Sequence, residues 1–391
     1  MKTRVCLLID TVYSPSGGTE KQLLQLLRHM DRDEFEPRLC VLRNSDWLRQ
    51  RFDLAPLDVL GLDSFRRPSG WAGVLRLASL LRRHRIDVVH THFRDASIAG
   101  IPAAKLAGVR GVVAARRNQG YWMTPLELRL QRTLNRWVDV FVANSDSTRR
   151  WCRETEGVPT ERVLVVYNGL DLAAFDPADA GGREAVRRDL GIPPDAPAAC
   201  IVANMRPVKR MDVFLRAAAR ARQSVPGARF VVVGDGPQRG AMEALARELE
   251  LDGSVIFLGN RNDVPRLLPA MDVGVLASDS ESFSNSVAEY MASGLAVAAT
   301  DVGGCREALG EEGVGAIVAS GDHAALGEAL AGQLLDRPAL LRARRDNPAR
   351  AAELFSLSEC VRAHESVYRR LAGNDVASEA ADSAAPAGRG A

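Results

Sequence analysis

At 391 residues the chain is too long for one ordinary core, and its length calls for two or three domains. An apolar content of 46% with 26% charged residues is that of a globular chain able to bury large cores without staples, which argues against a disordered or disulfide-built protein. A formal net charge of +2 supplies no overall field for nucleic acid.

The N-terminus carries Lys2 and Arg4, and the apolar run at 5–9 ends at Asp10, far too short for a signal peptide. No run approaches the ~20 apolar residues of a membrane span. The expectation is a cytoplasmic protein, at most peripheral at the inner face of a membrane. Cys6, Cys40, Cys152, Cys200, Cys305 and Cys360 form no C-x-x-C pair, and Cys6, Cys40 and Cys200 sit in apolar runs. They read as reduced core residues rather than a disulfide or zinc framework.

Short apolar runs then alternate with helical patterns. The runs fall at 5–9, 39–42, 88–89, 112–115, 140–143 and 163–166, and again at 200–203, 230–233, 255–258, 273–276, 296–299 and 317–318. Amphipathic stretches at 21–29, 74–83, 212–221, 238–250 and 324–335 lie among them. Near-continuous apolar strands separated by helices predict parallel sheets covered on both faces. Two such series predict an α/β chain of two Rossmann-like domains facing across a cleft. The break follows Asn168-Gly169, and 175–197 reads as a linker with one short helix. The expected division is 1–172, joined by a last helix at about 353–372, and 173–352 for the second domain. The Ala-, Ser- and Gly-rich tail at 373–391 is expected to be disordered.

Open parallel sheets bind ligands beyond the carboxyl ends of their strands, so polar residues directly after strands are the candidates. Gly17-Gly18-Thr19-Glu20 runs from the first strand region into a helix, where glycines admit a ligand and a helix N-terminus favours an anion; a plain strand-to-helix turn is the alternative. Arg206-Pro207-Val208-Lys209-Arg210 opens a helix in the second half, and such cations suit a diphosphate; the alternative is a solvated basic turn. Glu281 precedes a helix and Glu289 lies two turns into it, a spacing of eight residues that would rise about 12 Å as helix. Two carboxylates so placed could grip hydroxyls at both ends of a nucleotide sugar. Ser284, Asn285 and Ser286 would leave the helix N-terminus facing phosphate. Either glutamate alone would read as a surface residue of a capped helix. His90 and His92, at i and i+2 on a strand, could share a face for a metal, but no third ligand is evident.

Glu281 and Glu289 with 291–304 resemble the family-4 retaining glycosyltransferases of the GT-B fold, the type acting on bacterial exopolysaccharide or lipid-linked glycan. The likeness includes Gly17-Gly18-Thr19-Glu20, Asn144-Ser145, Asn168-Gly169-Leu170-Asp171 and Gly234-Asp235-Gly236-Pro237. It implies that Glu281, His92 and Lys209 form the catalytic group, with Glu281 near the reacting carbon and Lys209 neutralising the diphosphate. Glu289 would hold ribose hydroxyls. Gly17, Gly18, Arg206, Asn260, Arg261, Ser284, Asn285, Gly303 and Gly304 would complete the donor site. Two departures stand out. The family's Glu-Gly-Phe-Gly is here Glu281-Ser282-Phe283-Ser284, and its usual donor arginine falls on Asn204, with Arg206 as the substitute from the same side.

No Asp-Asp pair with an obvious cation role follows a strand, so transfer is expected to be metal-independent; the resemblance implies retention, with a hexose-type sugar moved from a UDP- or GDP-sugar and no cofactor beyond that co-substrate. The acceptor would be a glycan or polyprenyl-linked hydroxyl, met by Arg94, Asp95, Arg116, Arg117 and Asn118 in a segment that runs on to Tyr121 and Trp122. A cluster of Arg66, Arg67, Arg76, Arg82, Arg83 and Arg85 around Trp71, Leu75 and Leu80 suits peripheral contact with an anionic membrane, or is a solvated helix face. Arg129, Arg132 and Arg136 recur along a later helix. The rivals are a nucleotide-sugar epimerase, a phosphorylase, and a non-catalytic nucleotide-sugar-binding scaffold. An NAD oxidoreductase is disfavoured, since no G-x-G-x-x-G follows the first strand.

Overall fold

The computed structural model describes residues 2–373 except 16, 64, 66, 67, 121, 122, 176–179 and 312. The expected disordered tail beyond Gly373, and Arg66, Arg67, Tyr121 and Trp122, lie outside the described residues.

Strands β1 (Thr3–Ile9), β2 (Phe35–Val41), β3 (Leu57–Val59), β4 (Val88–His92), β5 (Gly111–Arg116), β6 (Val140–Ala143) and β7 (Val163–Val165) form a seven-stranded sheet in the order β3-β2-β1-β4-β5-β6-β7. Strands β8 (Ala198–Val202), β9 (Arg229–Val233), β10 (Val255–Gly259), β11 (Val273–Leu276), β12 (Ala296–Thr300) and β13 (Gly315–Val318) form a second, in the order β10-β9-β8-β11-β12-β13. Both are parallel Rossmann-like sheets, as the apolar runs require. Strand β3, which the sequence reading misses, has only three residues, none of them buried, at the sheet edge.

The chain forms two compact units. One takes the chain up to Ala115, Arg129–Phe141 and the chain from Val361; the other takes Arg116–Leu128 and Val142–Cys360. The border cuts β5 and β6, so Arg116 and Asn144, at their carboxyl ends, count with the second unit. In place of one last helix beginning near 353, helix Arg337–Phe355 is followed by helix Leu357–Ala372. Pro348 inside the first of these breaks the helical signal without breaking the helix.

Alternate residues of β8 feed opposite faces of the second sheet. Cys200 packs with Val231, Tyr290 and Val297 on one side; Ala199 and Ile201 pack with Phe214 and Phe230 on the other. This is the period-two consequence of a strand buried on both faces. Gly274 in β11 makes room for the Tyr290 ring, since a Cβ there would stand 2.2 Å from it. Tyr290 donates to Val275 O at 3.2 Å and accepts from Val202 N at 2.7 Å. Helix Asn285–Ala292 is thereby pinned across β8 and β11. All six cysteines are free thiols, and only Cys360 is not fully buried.

Candidate active site

The turn after β8 is built by close backbone packing. Gly234, at φ +132°, lies so near Ala203 that a Cβ would stand 2.0 Å from its carbonyl oxygen, and Met205 N donates to Asp235 O at 2.9 Å. This accounts for the glycines of Gly234-Asp235-Gly236. A 3-10 turn, Pro207–Lys209, follows, and Arg210 takes a left-handed φ of +46° before helix Met211–Ser224. Such a conformation is costly for a side-chain-bearing residue and concentrates at functional positions.

The loop after β11 is fastened to this turn. Asp279 N donates to Val208 O at 2.9 Å, and Arg210 holds the Asp279 carboxylate at 2.9 Å while also pairing with Asp212 at 3.0 Å. Lys209 Nζ consequently meets Glu281 Oε1 at 2.5 Å, and Ser278 Oγ donates to the same oxygen at 2.7 Å. Glu281 Oε2 has no partner among the described residues. Gly303, at φ +54°, packs on this loop so tightly that a Cβ would come within 2.4 Å of Glu281 O; Gly304 N donates to Ser282 O at 3.1 Å. Glu281, Lys209, Gly303 and Gly304 thus converge. Arg210, from the cationic turn the sequence singles out, completes the cluster with Ser278 and Asp279, which the sequence does not single out, although both closely follow β11.

Helix Asn285–Ala292 begins at Asn285, so Glu289 is its fifth residue, one turn in rather than two. The 12 Å helical span between the glutamates is therefore corrected: half of that separation is loop. Ser284 caps the helix by accepting from Val287 N at 3.4 Å, and Asn285 Oδ1 accepts from Asn168 Nδ2 at 2.7 Å. The backbone amides of Asn285 and Ser286 have no acceptor among the described residues, which leaves part of the helix N-terminus open to an anion. Arg206 is exposed at the start of the Lys209 turn, with no carboxylate partner among the described residues. Asn260 and Arg261 are exposed after β10, and Arg261 holds Asp263 at 2.7 Å.

In the first unit, helix Gly18–His29 starts directly after Gly17, where a Cβ would meet the Glu20 carboxylate at 2.4 Å. His92 is buried in β4 with its ring centroid 4.2 Å from that of His90. His90 Nδ1 lies 2.7 Å from Tyr368 Oη, which accounts for His90 as a core residue. Phe93, next along, has φ +71° and opens helix Arg94–Ala107. Arg94 and Asp95 pair with each other at 3.0 Å and share a cluster with two residues the sequence reading passed over. Arg43 lies 3.9 Å from both Asp10 and Asp95, and Asp10 accepts from Ala96 N at 2.7 Å. Burial, reinforced by Asp95, raises the Asp10 carboxyl to about 6. Asp10 and Arg43 closely follow β1 and β2, which is the signal that could have found them.

Among the remaining candidates, Arg116 is turned inward: its Nε donates to both Glu156 oxygens at 3.0 and 2.8 Å. Arg117 Nη1 donates to Asn168 Oδ1, and Asn118 Oδ1 accepts from Gly120 N at 3.3 Å. No group of three His, Cys, Asp or Glu among the described residues is arranged to hold a metal ion. No described helix is long and apolar enough to cross a membrane.

Two family models match the chain: Glycosyltransferase Family 4 over residues 16–174, and Glycosyl transferases group 1 over residues 182–352. The D-inositol 3-phosphate glycosyltransferase of Mycobacterium avium (strain 104) is 31% identical over 334 residues, covering 79% of this chain and 76% of the relative. The structure of Anabaena HepE in complex with UDP is similar at a TM-score of 0.83 and 21% identity, over 95% of this chain and 100% of that one. WaaG, a glycosyltransferase involved in lipopolysaccharide biosynthesis, is similar at a TM-score of 0.74 and 18% identity, over 94% and 100%. The chain belongs to the family-4 glycosyltransferases and has their GT-B fold.

Proposed function

We propose that this glycosyltransferase moves a hexose-type sugar from a UDP-sugar, with GDP-sugar as the second choice, to a glycan or lipid-linked hydroxyl with retention of configuration. The carrying observation is the Lys209–Glu281 contact of 2.5 Å beside the open N-terminus of helix Asn285–Ala292. A lysine ammonium has three donors. One holds Glu281, and two remain for diphosphate oxygens. Glu281 Oε2 is the oxygen left for a sugar hydroxyl. Glu289 is the candidate for the ribose. UDP in the Anabaena neighbour supports the uridine choice, and the name of the mycobacterial relative supports a polar hydroxyl acceptor.

In this reading the bond from the anomeric carbon to the diphosphate oxygen breaks while a bond to the acceptor oxygen forms on the same face. The acceptor proton passes to the departing phosphate. Charge developing on the leaving group is met by Lys209 and the helix amides, held in place before reaction. These groups do the work that a cation could do, so transfer is metal-independent in this proposal. Arg94, Asp95 and their neighbours Asp10 and Arg43 form the acceptor-side candidates of the first unit.

A membrane-borne acceptor fits helix Pro68–Arg83. Its outer face exposes Trp71 at 56% and Leu75 at 62%, with Arg76, Arg82 and Arg83 alongside. No acidic residue occurs between Asp63 and Asp87. Aromatic and cationic groups together favour an anionic lipid surface.

Thermal-shift screening against UDP-, GDP- and ADP-sugars tests the donor, because a ligand bound to the folded state raises the melting temperature. Transfer assays with and without EDTA, and NMR of the product anomer, test the rest. A stabilising donor that is neither transferred nor hydrolysed would instead select the scaffold reading.

A further inference from the structure

Ser282, next to Glu281, is tied on three sides. Its Oγ donates to Arg117 O at 2.7 Å and accepts from Asn144 Nδ2 at 3.1 Å. Its carbonyl oxygen accepts from Ser145 Oγ at 2.7 Å and from Gly304 N at 3.1 Å. The three side chains Asn144, Ser145 and Ser282 are buried, so these bonds are made away from competing water and are correspondingly costly to lose.

The partners are themselves fixed. Thr148 Oγ1 donates to Asn144 Oδ1 at 3.2 Å, which turns the amide NH2 towards Ser282. Ser145 caps helix Asp146–Glu154 by accepting from Thr148 N at 3.0 Å. The start of that helix is anchored by Glu307, which accepts from Asp146 N at 2.7 Å, Ser147 N at 3.1 Å and Tyr167 Oη at 2.9 Å. Arg117 is held to Asn168, and Asn168 to Asn285. The chain of bonds therefore leaves the loop at Ser282 and returns to it at the first residue of the neighbouring helix. Both ends of 281–285 are clamped.

We infer that the Ser282 hydroxyl is a positioning residue: it fixes the height of the Glu281 carboxylate by tying its loop to Arg117 and Asn144. This rests on the donor-site reading of Glu281. The effect is specific to the loop, because neither Ser282 nor Asn144 touches Lys209 or Glu281 through its side chain.

The test uses the full-length chain with Ser282→Ala, Ser282→Gly and Asn144→Ala. Amide hydrogen exchange on the protein without donor reads the tie directly: exchange in 280–284 and 302–305 is expected to speed up about tenfold in each variant, with melting temperatures lowered by roughly 2–8 °C as buried bonds are lost. Unchanged exchange in all three overturns the tie. Steady-state kinetics with the nucleotide sugar that stabilises the wild type reads positioning: kcat is expected to fall roughly ten- to hundredfold with donor KM within about twofold. The Ser282→Ala, Asn144→Ala double variant should turn over no more slowly than Ser282→Ala alone, since the Ser282 link that Asn144→Ala cuts is already lost there. A wild-type kcat in a variant whose exchange has sped up overturns the positioning role while leaving the donor reading intact. A wild type that turns over no nucleotide sugar overturns the donor reading and the positioning role together, and the exchange result then decides the tie alone.

Discussion

Lys209 and Glu281, 72 residues apart in sequence, meet at 2.5 Å with side chains only 23% and 11% exposed. The pair exists because two strand-end turns of one sheet are laced together by Asp279 and Arg210. In the proposed reading, this cation and carboxylate, held ready beside a helix N-terminus, receive a diphosphate on one side and sugar hydroxyls on the other.

Lys209→Ala and Glu281→Ala are each expected to lower kcat/KM for transfer by about 10²–10³-fold, the range for removing one preorganised charge or donor. Stability should change by about 1 kcal/mol or less, because the pair is not fully desolvated and, in Lys209→Ala, Ser278 still bonds Glu281. Thermal melts run beside the kinetics separate the two effects. Near-normal transfer by both folded variants would refute the site.

The sequence makes this pair legible for a physical reason. Strands buried on both faces are written as apolar runs, and ligand-facing residues follow their carboxyl ends, so Lys209 and Glu281 can be found by counting along the chain. The Ser282 tie cannot. Its partners Arg117 and Asn144 lie 165 and 138 residues away, and a serine hydroxyl carries no pattern that names its acceptor. Strand β3 was hidden because three partly exposed edge residues need no apolar run. Pro348 hid a helix because a local breaker can be overridden by packing.

Membrane contact is checked on vesicles. Trp71→Ser with Leu75→Ser should reduce co-sedimentation with phosphatidylglycerol vesicles about tenfold, and removing Arg82 and Arg83 should do the same at low salt. Each buried apolar side chain and each surface cation supplies on the order of 1 kcal/mol or more at such an interface. Binding to neutral phosphatidylcholine should be weak throughout. Equal sedimentation of wild type and variants with anionic vesicles removes this helix as the docking face.

Asp10 makes stability depend on pH. Its carboxyl rises from the usual 3.8 to about 6 on folding, so the folded chain binds the extra proton between those values. The stabilising contribution is complete below pH 3.8 and is lost as pH rises through about 6, amounting to roughly 2–3 kcal/mol. Asp10→Asn keeps an acceptor for Ala96 N and stays neutral. Denaturant unfolding should find it more stable than wild type at pH 7.5 and no more stable at pH 4. Parallel pH profiles for the two proteins would contradict the burial argument.

Arg116 and Glu156 decide what the carboxyl end of β5 is for. Their side chains are 8% and 2% exposed, and they meet at 2.8 Å. A cation directly after a strand reads as a ligand contact, yet this one is spent on a buried partner 40 residues away. Removing one member takes a buried ion-pair partner from the other, so Glu156→Ala should cost about 3–5 kcal/mol. Replacing both by apolar residues of similar size, as in Arg116→Met with Glu156→Leu, should recover most of that, because the desolvation penalty goes with the charges. If Arg116 serves only the fold, the double variant also keeps its acceptor KM. A refolded double variant with a KM raised tenfold or more would return Arg116 to the acceptor site.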